Sequence, residues 1–179
     1  MNIEIVKVGQ LECNCYILEK DNNVLIIDPG EDYNKIKEKI KNKNLKAVLI
    51  THNHFDLIGA LNNIKQDYQI EIYDNTNLEE KEYKINNFSF KVIKRFGHSS
   101  DSISFYFEKD KVMFVGDFIF KDSIGRCDLP TGNINDMKAS LDKIKKYDDN
   151  IIIYPGHGNS STLGNEKKNN IYFKEDIIW

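Results

Sequence analysis

The chain has 179 residues, with 25 Lys and Arg against 28 Asp and Glu, a formal net charge of -3 and 40% hydrophobic residues. This length suits one domain with its own core, and the slight negative charge argues against nucleic acid or an anionic membrane as main partner. No apolar stretch approaches the about 20 residues that span a bilayer. The first residues, MNIEIVKVGQ, alternate like a strand instead of presenting a basic segment and a long apolar run, and the three cysteines form no CxxC pair. We therefore expect a cytoplasmic protein without a disulfide framework.

Hydrophobic patterning predicts alternating strands and helices. The elements of the first half are strands at 3–8, 15–19 and 24–28, a helix at 33–42, a strand at 46–51 and a helix from Asp56 to Gln66. Those of the second half are strands at 70–73, 82–85, 88–94, 102–108 and 111–116, a helix at 134–147 and a strand at 151–154. The first three strands suggest an antiparallel meander. With no linker or repeat, the pattern predicts one α/β domain.

The histidines stand out because all four follow predicted strands, as His52 and His54 in THNHFD, His98 in FGHSSDS and His157 in YPGHGN. In an extended segment, the first two of them point to one side and can bind one ion, with Asp56 two residues further on. His98 and Asp117, at the end of the strand before FIF, are candidate distant ligands. Nitrogen and oxygen ligands without sulfur suit zinc, iron or manganese.

Seven motifs follow one another along the chain: NCYIL (14–18), IIDPG (26–30), HNHFDL (52–57), GHSSDS (97–102), GDFIF (116–120), SIGRCDLPTGN (123–133) and PGHG (155–158). In the order and spacing of these motifs, the chain resembles the metallo-β-lactamase-fold hydrolases, and among them the short glyoxalase II-like (hydroxyacylglutathione hydrolase-like) members. The resemblance implies an α/β four-layer αββα sandwich with a metal site between the sheet edges. It also implies a single domain over 1–179, without the helical region by which full-length glyoxalase II binds glutathione.

The resemblance further implies two metal sites that share one carboxylate. The first would be bound by His52, His54, His98 and Asp117, and the second by Asp56, His157, Asp117 and the last histidine of HxHxDH. That last position is Leu57, which has no lone pair, so we expect one tight zinc site and a weakened second site, with iron or manganese as alternatives. A zinc ion with three histidine ligands lowers the pKa of its bound water to about 7. Asp56, as general base, and His157, as hydrogen-bond donor, are then the candidate catalytic residues.

The substrate implied by the resemblance is a small-molecule thioester, cleaved to an acid and a thiol. Arg126, one of only two arginines, is a candidate for binding a substrate carboxylate, with an internal salt bridge as the alternative. Cys127, beside it, is interpreted as a packed thiol. Two other hypotheses stay open: a persulfide (sulfur) dioxygenase with a single iron, and a degenerate, non-catalytic member of the fold. An exported β-lactamase and a two-metal phosphodiesterase are disfavoured.

Overall fold

The computed structural model describes residues 1–174, which form two β-sheets flanked by helices. The strands of the first sheet are, in spatial order, β1 (Asn2–Val8), β2 (Cys13–Lys20), β3 (Asn23–Ile27), β4 (Asn44–Leu49) and β5 (Glu71–Tyr73). The remaining strands are β6 (Glu82–Ile85), β7 (Phe88–Lys94), β8 (Ile103–Phe107), β9 (Val112–Gly116), β10 (Ile119–Phe120), β11 (Ser123–Ile124), β12 (Ile152–Pro155) and β13 (Ser161–Thr162). The second sheet has the order β13-β12-β9-β8-β7-β6, and β10 pairs with β11 alone.

Strand pairing follows the connections along the chain. β1, β2 and β3 are antiparallel neighbours, which confirms the predicted meander, whereas β4 is parallel to both β3 and β5. In the second sheet, β12 runs parallel to β9 and the other pairs are antiparallel. Because parallel neighbours end at the same edge, the residues that follow β4, β9 and β12 are delivered to the edges of the sheets, where ligand sites are usual.

The helices are α1 (Tyr33–Ile40), α2 (Phe55–Ile58), α3 (Leu61–Asp67), α4 (Ile134–Ile144) and α5 (Leu163–Asn169), with 3-10 turns at Glu108–Asp110 and Ile171–Phe173. Every helix among the described residues is too short or too polar to cross a membrane. The cysteines Cys13, Cys15 and Cys127 are all free.

Alternation of side chains along the strands produces three apolar layers. Tyr16 and Leu18 of β2 face the second sheet and pack with the phenylalanines of β7, β8 and β9. Cys15 and Ile17 of the same strand face the other way and pack under α1, α2 and α3. On the far side, the second sheet packs against Met137 and its neighbours in α4 and α5. Two sheets with helices on both outer faces make the expected four-layer αββα sandwich.

One predicted element is wrong. The helix expected from Asp56 to Gln66 is two helices, because the chain turns at Gly59 and Ala60 and the backbone N–H of Ala60 donates to the carbonyls of Pro29 and Gly30. A side chain on Gly59 would press against Glu31 and the Gly30 carbonyl, so the break lies where the chain approaches the loop after β3. The apolar residues at three-residue spacing are buried against the same sheet in both helices, so this spacing predicted one helix and gave no sign of the turn between them.

Candidate metal centre

The four histidines and Asp117 gather at one edge of the sandwich. His52 and His54 follow β4, His98 follows β7, Asp117 follows β9 directly and His157 follows β12. These segments are far apart in sequence, and the parallel pairing of β9 with β12 places the ends of those two strands side by side. The fold therefore brings together the side chains that the sequence analysis selected from separate motifs.

Three histidine rings converge on one point. His54 Nδ1 lies 3.0 Å from His52 Nε2 and 2.9 Å from His98 Nε2. All three ligand atoms lie within 4.8 Å of one another, and the rings stand nearly perpendicular, at 79–87°. Each pair of neighbouring nitrogens can share at most one proton, whereas a cation would satisfy all three lone pairs.

Hydrogen bonds behind the rings of His52 and His98 fix which nitrogen faces that point. His98 Nδ1 donates to the carbonyl of Arg126 at 2.8 Å, which leaves Nε2 with its lone pair. His52 Nδ1 lies 3.2 Å from Thr51 Oγ1, and the Thr51 hydroxyl donates to Asp28 Oδ2 at 2.8 Å, so the hydroxyl oxygen accepts from the ring. Such partners fix the tautomer in known metal sites. The residues present therefore fit a bound metal ion with three nitrogen ligands.

A second group of side chains lies beside the three histidines. Asp117 Oδ2 is 3.6 Å from His98 Nε2, and Asp117 Oδ1 is 3.1 Å from His157 Nδ1. His157 Nε2 is in turn 3.1 Å from Asp56 Oδ2. Asp56 lies in the first turn of α2, where its carboxylate meets His157 instead of continuing the line of the two preceding histidines. His157 thus bridges the two carboxylates of the expected second metal site.

Leu57 lies outside this group. Its side chain is fully buried in the apolar layer between the first sheet and its helices, with Val8 and Cys13 in the same cluster. The cleft over the metal centre is lined by Asp56 and by Phe55, and Leu57 is absent from its walls. An apolar side chain at this position supplies packing and no ligand.

Burial and ion pairing act in opposite directions on the histidines. Burial lowers the pKa of His52 to about 4 and also lowers the pKa of His54, so both rings are neutral, as ligands must be. Hydrogen bonds to Asp117 and Asp56 raise the pKa of His157 to about 10, which keeps this ring protonated. Burial would raise the pKa of Asp56, but its hydrogen bond to His157 lowers it. Neutral ligands and an ion pair therefore lie side by side.

Two glycines allow the close approach of these segments. A Cβ on Gly156 would overlap Asp117 Oδ1, and a Cβ on Gly116 would overlap Thr51 Oγ1. Gly116 also has φ +54°, which L side chains rarely adopt. Gly116 in GDFIF and Gly156, the first glycine of PGHG, are thus required by the packing of the site itself.

The start of β2 holds the loop that carries His157. Asn14 Nδ2 donates to the carbonyls of Pro155 and Gly158, both at 2.9 Å, and the Tyr16 hydroxyl donates to the Pro155 carbonyl at 2.5 Å. The sequence analysis predicted no role for Asn14 and Tyr16, nor for Thr51 and Asp28. The signal was present, since NCYIL and IIDPG were among the matched motifs and Thr51 directly precedes His52.

A cleft of about 580 Å³ opens over the centre, lined by Leu11, His54, Phe55, Asp56, His98, Asp117, Arg126, Leu129, Pro130 and His157. Arg126 reaches the cleft, but its guanidinium forms a bidentate pair with Asp128, with both distances 2.7 Å. Cys127 is half-buried, packs beside the layer under α4, and donates weakly to the Gly125 carbonyl at 3.5 Å. Burial raises the pKa of this thiol, as for a packed side chain.

Comparison with known proteins assigns the family. A model of the metallo-beta-lactamase superfamily matches residues 8–77 and 69–157. The chain is 31% identical to the hydroxyacylglutathione hydrolase GloC of Haemophilus influenzae, over 95% of this chain and 97% of that protein. Among solved structures, the BLEG-1 B3 metallo-beta-lactamase superposes with a TM-score of 0.92 at 29% identity, over 96% of this chain and 99% of the other.

A second solved structure, TTHA1623 in a di-iron-bound form, superposes with a TM-score of 0.86 at 27% identity, over 94% of this chain and 99% of the other. The metal in that relative is iron. The family model, the relatives and the converging histidines agree on one assignment. The chain belongs to the metallo-β-lactamase superfamily of metal-dependent hydrolases.

Proposed function

We propose that this protein is a hydrolase that cleaves thioesters with one tightly bound metal ion. The observation that carries the proposal is the convergence of three histidine nitrogens at 2.9–3.0 Å, beside two carboxylates, at the floor of an open cleft. The choice of a thioester is supported by the relative from Haemophilus influenzae, whose name denotes hydrolysis of a glutathione thioester.

The restriction to one tight metal follows from Leu57 and His157. The residue after Asp56 offers no ligand atom, and the imidazole of His157 lies between Asp56 and Asp117, with both contacts at 3.1 Å. A second cation would have to displace this ring from one of the carboxylates and would gain few ligands in return. We expect an affinity at least about 10- to 100-fold below that of the first site, as for the loss of supporting groups in other metal sites.

In this proposal His52, His54 and His98 would hold the metal, beside Asp117. A metal ion held there would supply Lewis acidity, which polarises a carbonyl and lowers the pKa of water toward neutrality. Asp56 Oδ2 then accepts a hydrogen bond from the attacking water and orients it toward the acyl carbon. His157, held protonated by the two carboxylates, has its Nε2 proton on Asp56 in the resting protein, and it would donate this proton to the leaving sulfur as the C–S bond breaks and Asp56 turns to the water.

A second candidate is a persulfide dioxygenase with one iron. It is favoured by the three-histidine site without a full second site, and the di-iron form of TTHA1623 shows that a relative with this fold binds iron. A non-catalytic member of the fold is the third candidate, and the open cleft beside neutral histidines opposes it. The metal content and the reaction catalysed, measured together, distinguish these three candidates.

The test is elemental analysis of protein purified without added metal, followed by assays with thioesters and, under oxygen, with a persulfide. About one zinc per chain with thioester hydrolysis is the expected result, and His98→Ala is expected to lose the metal and the activity together. One iron with oxygen consumption would replace the proposal by the dioxygenase. Two equally tight metals, or a loaded protein that leaves every thioester intact, would contradict it.

A further inference from the structure

The walls of the cleft differ in character from its floor. Apart from the residues of the metal centre, the cleft is lined by Leu11, Phe55, Leu129, Pro130 and Arg126. Four of these five side chains are apolar. They come from the turn after β1, the start of α2 and the loop after β11, so apolar surface borders the reacting position from three separate segments. Pockets that bind organic ligands are lined in this way.

Two of these side chains are unusually exposed. Phe55 is 71% and Leu11 is 57% exposed, and they are the two most exposed large apolar side chains among residues 1–174. Phe55 lies between His54 and Asp56 in sequence, so its position is tied to that of the metal centre. Apolar surface that is exposed at a cleft, rather than scattered, marks a contact site for a ligand.

The charges of the cleft do not match a glutathione moiety. Within the described part of the chain, Arg126 is the one cationic side chain on the walls apart from the histidines, and Asp128 already neutralises it through two contacts of 2.7 Å. At the floor, Asp56 and Asp117 are both paired with His157, so that ring is not an unpaired cation either. Glutathione brings two carboxylates and one ammonium group, and its carboxylates would find no free cation there.

We infer that the preferred substrate is an uncharged thioester whose acyl chain is apolar and packs against Phe55 and Leu11. This inference rests on the proposed thioester hydrolysis and names its substrate class. Each methylene that is buried on binding is expected to raise kcat/KM by roughly three- to fourfold. Phe55 and Leu11 are thus specificity-determining residues, without a role in the chemical step.

The test compares four thioesters: acetyl and hexanoyl esters of the neutral thiol N-acetylcysteamine, and the same two acyl esters of glutathione. For the metal-loaded wild-type protein, we expect the hexanoyl ester to be preferred over the acetyl ester by at least about tenfold, and the neutral thiol over glutathione. Phe55→Ala is expected to lower kcat/KM for the hexanoyl ester and leave the acetyl ester nearly unchanged. Ile5→Ala, an exposed apolar position on β1 outside the cleft, is the matched control.

A binding measurement distinguishes a failure of this inference from a failure of the proposed function. Titration calorimetry with the unreactive thioether S-hexyl-N-acetylcysteamine is expected to show binding that Phe55→Ala weakens and Ile5→Ala preserves. Equal turnover of acetyl and hexanoyl esters, or a preference for the glutathione esters, would overturn the inference while leaving thioester hydrolysis intact. Binding of the thioether without turnover of any ester would instead contradict the proposed function.

Discussion

At the residue scale, the metal centre depends on groups that never reach the cleft. The Asp28 carboxylate accepts from both the backbone N–H and the hydroxyl of Thr51, at 2.7 and 2.8 Å, and Thr51 in turn faces His52 Nδ1. Asp28, Thr51 and His52 are all buried. Because water cannot replace a lost partner there, the orientation of the His52 ring depends on this chain of hydrogen bonds.

Thr51→Val tests that dependence, since valine keeps the shape and removes the hydroxyl. The His52 ring would lose the acceptor for its Nδ1 proton, and we expect metal affinity to fall by about 10- to 100-fold. Competition with a chelator of known affinity measures the change. Thr51→Ser restores the hydroxyl and is expected to recover most of the affinity. Equal affinities for the valine and serine variants would show that His52 is oriented by packing alone.

Leu57→His tests whether one residue decides the number of metals. The new imidazole would follow Asp56 directly, and we expect the metal content to rise from about one toward two per chain. In the metal-free protein, the same change buries a polar group in an apolar layer and is expected to cost about 1–3 kcal/mol of stability. Leu57→Met is the control that keeps the layer apolar. A metal content of one for the histidine variant would mean that its ring stays in the core.

At the element scale, the turn after β12 is positioned from two sides. Asn14 and Tyr16 hold it through the carbonyls of Pro155 and Gly158, and the backbone N–H of Asn14 donates to the Gly156 carbonyl at 2.7 Å. The turn can therefore shift little to accommodate a larger residue. Gly156 faces Asp117 closely, whereas a Cβ on Gly158 would meet no atom within 4 Å.

Gly156→Ala is expected to displace Asp117 and to lower metal affinity by about tenfold or more, with activity falling at least as far. Gly158→Ala is the matched control in the same turn. Because Gly158 has φ +74°, alanine there costs about 1–2 kcal/mol of stability, but it leaves Asp117 in place. Metal titration and thermal unfolding of both variants separate the two effects. Similar metal affinities for the two variants would show that the turn can move to accommodate a side chain at Gly156, despite its hydrogen bonds.

The elements also show what the sequence predicts and what it leaves out. Strands such as 88–94 were predicted with their observed bounds, because alternation of apolar side chains reports the two faces of a sheet. The sequence did not predict the short strands β10 and β11 or the helix break at Gly59, since each depends on contacts with distant loops. For the site, histidines after strands were visible in the motifs. The bridge of His157 between Asp56 and Asp117 depends on three-dimensional packing and was not predicted in that form.

At the scale of the whole molecule, the fold holds like charges together at one edge. The chain has a net charge of -3, and Asp56 and Asp117 face each other across His157. Without a cation, two carboxylates at this distance repel, and the protonated imidazole between them offsets that repulsion. The stability of the metal-free protein therefore depends on the charge of one histidine.

The sign of the pH dependence follows from this arrangement. The pKa of His157 rises from 6.5 in an unfolded chain to about 10 in the folded protein, through Asp117 first and Asp56 second. A group whose pKa is raised by folding stabilises fully below its unfolded pKa and loses that contribution as pH rises through its folded pKa. We therefore expect the Tm of the metal-free protein to fall between pH 6.5 and about 10.

The measurement is thermal unfolding of the metal-free protein across that pH range, for the wild type and for His157→Asn. Lysines and tyrosines also titrate near its upper end, so the difference between the two proteins isolates the contribution of His157. We expect the wild type to lose several degrees more than the variant, since about 1 kcal/mol changes the Tm of a chain of this size by roughly 2–4 °C. Parallel curves for the two proteins would mean that the carboxylates are neutralised in another way, and the bridging role of His157 would have to be abandoned.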